Sequence, residues 1–199
     1  DQWRARPVLS KMDSRFDSEP AVFVADNRII EFRDNAQQEV EQVKTIHRII
    51  RVNNDQGIER FNKVYLPGGK SNHLLRFKAR SLLPGGEVIE VDSSALKDYT
   101  DEDGDEYRIF AVPGLVKGAE IEYSYTWLRQ EASLFGTEVI QQRVPVLSSA
   151  VAIQSPDRLV FEGKSFNGNM ISRDTVVVNS DIVPPPAPVG PPGTLTCAV

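Results

Sequence analysis

Cysteine is nearly absent. Cys197 is the only one in 199 residues, so no internal disulfide and no CxxC pair can form, and disulfides say nothing of compartment. Histidine is almost as scarce, with His47 and His73 alone, which leaves too few ligands for a zinc centre. A basic excess is missing too: the formal charge is -5 and the pI near 5.2. That argues against nucleic-acid binding, which draws on clustered Lys and Arg to replace counterions. Arg76, Lys78 and Arg80 share one strand face, which reads as a solvated face and not a basic stripe. No apolar run reaches the ~18 residues of a membrane span. No phosphate-cradling loop is present, because "LPGGK" at 66–70 lacks the spacing and the Ser/Thr partner. Long amphipathic helices are absent, which excludes alternating βαβ units. No internal repeat is visible.

What remains is a succession of short strands. A hydrophobic content of 40% suits one domain with a sizeable core. "AVFVADNRIIEF" (21–32) and "EVEQVKTIHRIIRV" (39–52) read as strands joined through "RDNAQQ". Gln, Glu and Lys in 37–51 compete for helix, but Val40, Val43, Thr45, Ile46, Ile49, Ile50 and Val52 favour strand. "NNDQGIERFNKVYLPGG" (53–69) reads as a cap, Asn54 or Asp55, followed by one or two helical turns with Ile58 and Phe61 inward. "HLLRFKARSLL" (73–83) alternates, placing Leu75, Phe77 and Ala79 opposite Leu74, Arg76, Lys78 and Arg80. "PGG" (84–86) turns the chain into "EVIEV" (87–91), the clearest hairpin present. "DSSALKDY" (92–99) suits a helical turn capped by Asp92 or Ser93. Further strands are expected at 107–112, 119–129, 137–144, 149–154, 158–166 and 174–179.

The fold expected is therefore all-β, an antiparallel β-sandwich with one or two short helical turns. Residues 1–19 read as an N-terminal arm or linker, 20–180 as the sandwich, and 181–199 as a Pro-rich tail or linker. Six prolines in "PPPAPVGPPG" (184–193) suit polyproline II, not a sheet ladder. A chain that opens on Asp1 instead of Met reads as a processed or excised piece, with any leader or lipid anchor outside it.

One strand stands out. Ile121, Tyr123, Tyr125 and Trp127 occupy one face, and Glu120, Glu122, Ser124 and Thr126 the other. The aromatic face is expected to be core and the polar face a wet surface. The alternative is a sugar-stacking platform. Glu120 and Glu122, two apart on one face, have a spacing open to glycosidase carboxylates, though surface strands often carry such pairs. "DEDGDE" (101–106) offers oxygen ligands but fails the helical calcium-loop pattern, and reads as a solvated acidic loop. Cys197 lies near the chain end, far in sequence from either histidine, and is no nucleophile. His47 reads as a polar neighbour on a sheet face and His73 as a solvated loop residue. No catalytic, cofactor-binding or metal-ligating residue is assigned, and no cofactor is expected.

Three segments in order carry a family resemblance: "NNDQGIERFNKVYLP", "KARSLLPGGEVIEVDSSALKD" and "YRIFAVPGLVKGAEIEYSYTWL". Across Ala21 to Gly168 the chain resembles an uncharacterised β-domain that precedes a transglutaminase-like, papain-fold domain in many bacterial proteins. The residues after Arg173 depart from that pattern. The resemblance implies a non-catalytic β-sandwich in an exported protein, periplasmic or cell-surface, with a lipid anchor as one route of attachment. It implies a downstream Cys-His-Asp domain, or another protein, as partner. A glycan is the partner under the alternative reading. No nucleic acid and no membrane span enter.

Overall fold

The computed structural model describes residues 3–69, 72–166, 171–176 and 193–198, the last two segments as backbone. The proline-rich stretch at 184–192 lies outside the described residues. The chain is all-β and builds two sheets. In order the strands are β1 (Ala21–Asp34), β2 (Val40–Val52), β3 (Lys63–Pro67), β4 (His73–Leu82), β5 (Val88–Val91) and β6 (Lys97–Thr100). They continue with β7 (Glu106–Ala111), β8 (Glu120–Arg129), β9 (Ser149–Ser155), β10 (Ile171–Val176) and β11 (Gly193–Ala198). The larger sheet runs β10-β11-β9-β1-β2-β8-β4-β5 and the smaller β3-β7-β6. All pairs are antiparallel except β1 with β9, which run parallel.

The long β1–β2 hairpin settles the competition over 37–51 in favour of strand. Ile46 and Ile50 of β2 are buried on one face, and His47 and Ile49 on the other. A strand flanked on both sides and buried on both faces uses its β-branched residues better than an amphipathic helix would. The helical turn is α1 (Asp55–Phe61), capped by Asn54, whose side chain accepts from Gly57 N at 3.1 Å. Asp92 caps a single 3-10 turn at Ser93–Ala95 in the same way. Both turns fall where the sequence pattern places them, and strands β3 and β6 take up the residues behind them.

Register divides the large sheet into two faces. On the first, Ile50 lies opposite Ile121, Arg48 opposite Tyr123, Ile46 opposite Tyr125 and Lys44 opposite Trp127. This face packs against Val64, Leu66 and Phe110 of the small sheet to make the main core. Ile121, Tyr123, Tyr125 and Trp127 are all buried there, as their alternation predicts. A second apolar cluster, Ile30, Phe32 and Val151, lies further along the same face.

Three expectations fail. In β4 a bulge at Leu75 shifts the register, so Leu74 faces Trp127 and packs on the core while Leu75 is left half exposed. Residues 137–144 form no strand. The β1 edge they would extend is taken by β9, and Arg28 Nη2 claims the Val139 carbonyl at 2.7 Å. Residues 158–166 are also irregular. The free edge of β9 is filled by β11, and the segment attaches instead by stacking Phe161 on Phe32, 4.6 Å between centroids.

Candidate functional site

The second face of the large sheet was expected to be wet, and it is not. Glu120 and Glu122 are fully buried, and Arg80, read as solvated, is 5% exposed. Arg76 and Lys78 do stay exposed. Residues of the N-terminal arm cover this face. Arg4 donates from Nε to Glu122 Oε2 at 3.1 Å and from Nη1 to Glu120 Oε2 at 3.2 Å, so one guanidinium spans both carboxylates. The Ser10 amide donates to Glu120 Oε1 at 2.7 Å, and Arg51 Nη2 donates to the same oxygen at 3.0 Å. Arg80 Nη2 reaches Glu122 Oε2 at 2.7 Å, and its guanidinium carbon lies 4.2 Å from the centre of the Trp3 ring.

The geometry follows from strand spacing. Glu120 lies opposite Arg51 on β2 and Leu82 on β4, while Glu122 lies opposite Ile49 and Arg80. Cross-strand neighbours on one face stand close enough for ion pairs. Three guanidinium groups thus meet two carboxylates, and His47 adds a further donor. Its Nε2 sits 2.9 Å from Glu122 Oε1. A carboxylate only accepts, so the imidazole proton is on Nε2, and the buried Nδ1 has no partner among the described residues. Burial alone would raise the Glu122 carboxyl. Hydrogen bonds from His47 and Arg80 and the charge of Arg4 outweigh it and hold the group down at about 2.

A second ionic cluster interrupts the core face. Asp26, fully buried, accepts from Arg28 Nη2 at 2.8 Å and from Arg48 Nε at 3.0 Å. Arg28 continues to Glu138 at 2.7 Å, and Lys44 binds the other oxygen of that carboxylate. Burial again works to raise Asp26, but Arg28 and Arg48 leave it below its ordinary value. Along β1 this cluster falls between Phe23 and Ile30, so it separates the two apolar clusters and ties the irregular 130–148 segment to the sheet.

These networks decide what the candidate residues can do. A glycosidase pair needs one carboxyl protonated near neutrality. Glu120 and Glu122 are both saturated by guanidinium groups beneath the arm, and Glu122 is ionised down to about 2. His47 is spent on Glu122. His73 begins β4 exposed and lines a cleft of about 550 Å³ at the open end between the sheets, with Asn72, Asp98, Thr100, Glu106 and Arg108. The acidic loop is a turn organised by Asp101, whose Oδ1 accepts from the amides of Asp103 at 3.1 Å and Asp105 at 2.8 Å. Among the described residues no group of three or more His, Cys, Asp or Glu is arranged to hold a metal. Cys197 lies on β11 opposite Val151 of β9. Since Tyr123, Tyr125 and Trp127 are buried, β8 offers no exposed stacking platform. Exposed aromatics occur elsewhere. Tyr65, Tyr99 and Tyr107 stand side by side on the outer face of the small sheet, with centroids 5.9 to 6.5 Å apart. Each is a single tyrosine in a short strand, so no local period announced the cluster. Arg4 was equally silent, since nothing near it in sequence hints at carboxylates more than a hundred residues away.

Comparison with known proteins agrees with this architecture. Among solved structures, a candidate protease from Parabacteroides distasonis ATCC 8503 superposes with a TM-score of 0.59 at 10% sequence identity, over 89% of this chain. The chain spans 40% of the length of that protein. No curated protein matches it. One family, described as a Domain of Unknown Function with a solved structure (DUF3857), matches residues 39–182. The match runs past Arg173, where the sequence pattern had been expected to diverge. With more than half of its length matched, the chain belongs to the DUF3857 family.

Proposed function

We propose that this chain is a non-catalytic accessory β-sandwich that docks or orients a transglutaminase-like, papain-fold peptidase domain, or that domain's partner, within an exported bacterial protein. The observation that carries this reading is where the ionisable groups go. The buried carboxylates Asp26, Glu120 and Glu122 are each neutralised by two or more arginines, so they hold strands and arm together. A candidate protease of which this fold makes up the smaller part supports a division of labour between this domain and a separate catalytic one.

The test is to produce this domain and the remaining chain of its parent protein separately. Calorimetry should detect binding between them, and peptide hydrolysis should reside in the other part alone. Cell fractionation should place the parent outside the cytoplasm. Casein hydrolysis by this domain alone, abolished by His73→Ala or Glu106→Gln, would overturn the proposal.

A further inference from the structure

The small sheet has an outer face and an open edge that the accessory reading does not use. Sheet faces turned to water are ordinarily polar. Here Tyr65 is 52% exposed and Tyr99 40% exposed, with Tyr107 between them on the central strand. Their rings do not lie flat. Tyr65 stands at 71° to Tyr99 and 88° to Tyr107, so the trio presents ring faces in two directions. Among the described residues no cation sits over any of the three.

Charge is distributed unevenly around this trio. At one end is the turn with Asp101, Glu102, Asp103, Asp105 and Glu106. Desolvation, the negative charge of Asp101, Asp105 and Asp103 and a side-chain hydrogen bond with Asp101 push the Tyr107 hydroxyl up. At the other end Lys63 and Lys97 share the face with Tyr65 and Tyr99, by strand alternation.

Strand β6 supplies the third element. Among the described residues it pairs with β7 alone, and all four of its residues are exposed. Its side chains alternate: Lys97 and Tyr99 belong to the tyrosine face, whereas Asp98 and Thr100 line the cleft described above, whose wall also carries Glu106 and Arg108. An open edge flanked by two differently lined surfaces is the arrangement that receives an added strand, with main-chain bonds for affinity and alternate side chains for specificity. The carboxylates of the 101–106 turn at the end of this edge favour a strand that carries cations there.

We propose that the β6 edge binds an extended peptide segment bearing lysine or arginine, contributed by another protein. Its main chain pairs with β6, and its cations sit against the tyrosine faces and the 101–106 carboxylates. Recognition is by charge and ring contact, so it weakens with salt.

The test is a fluorescence-anisotropy titration of the domain with three labelled octapeptides: alternating Lys–Val, alternating Thr–Val and alternating Glu–Val. The Lys–Val peptide should bind and the Glu–Val peptide should not. Tyr99→Ala leaves the net charge unchanged and should weaken binding about tenfold, the loss expected of an aromatic anchor. Asp103→Asn with Asp105→Asn, which spares the turn-forming Asp101, should weaken it about fivefold and flatten its salt dependence. N-methylation of the peptide on the pairing side should abolish binding. Thermal melts establish that each variant is folded. No binding by any peptide, an affinity unchanged in Tyr99→Ala, or preferential binding of a neutral oligosaccharide or of the peptide PPPAPVGPPG would each overturn the proposal.

Discussion

Arg4 and Glu122 are 118 residues apart in sequence, yet both the backbone amide and Nε of Arg4 donate to this one carboxylate, at 3.3 and 3.1 Å. The arm is therefore anchored by a buried acid on a central strand. Arg4→Ala removes charged hydrogen bonds but leaves Glu122 held by Arg80 and His47. It should cost about 2 kcal/mol in urea unfolding, and trypsin should cut after Lys11 and Arg15 faster than in the parent. Arg80→Ala should cost more, about 3 kcal/mol, because it removes two charged hydrogen bonds from a fully buried carboxylate and takes the cation from the Trp3 ring. Equal stability of Arg4→Ala and parent would show that the arm is not held this way.

Acid should loosen both ionic clusters. The Glu122 carboxyl is depressed from 4.5 to about 2 in the folded chain, and Asp26 and Glu138 are lowered in the same direction. A depressed carboxyl contributes stability that is complete above its unfolded value and is lost as pH falls through the folded one. Tm should therefore hold down to about pH 5 and fall progressively toward about pH 2. A Tm independent of pH across that window would contradict the ionic assignment.

Two glycines should fail for different reasons. Gly86, in the β4–β5 turn, has φ +88 and open space around it, so Gly86→Val is strained by the backbone alone and should cost at least about 1 kcal/mol. Gly57 in α1 has no such φ, but a Cβ there would stand 2.0 Å from the Pro20 carbonyl oxygen. Gly57→Ala should be the more damaging of the two in thermal melts, since backbone and not a flexible side chain would have to move.

Trp127 separates volume from hydrogen bonding. It is 8% exposed in the main core, and its Nε1 has no partner among the described residues. Trp127→Ala should cost about 3–5 kcal/mol. Trp127→Phe gives up volume but also removes an unpaired buried donor, and should cost about 1 kcal/mol. Comparable losses in both variants would mean that the indole N–H is bonded after all.

Periodicity is local, and what it governs was legible. The two-residue alternation of 119–127 marked the buried aromatic face, and the β-branched residues of 39–52 marked a strand against their helix-forming neighbours. "PGG" at 84–86 marked its hairpin, and Asn54 and Asp92 marked their caps. The all-β class follows from these alone. The other face of β8 was misread because alternation says only that a face is polar, and not what lies upon it. Glu120 and Glu122 look the same in sequence whether water or arginine meets them, and the choice was made by an arm that pattern reading treats as a linker. The strands expected at 137–144 and 158–166 were lost because a strand requires a free edge, and edges are allotted by the whole sheet. The tyrosine face arose the same way. Tyr65, Tyr99 and Tyr107 belong to three strands that only their pairing brings within about 6 Å of one another, so local sequence fixed each residue's environment and tertiary pairing decided which of them became a surface.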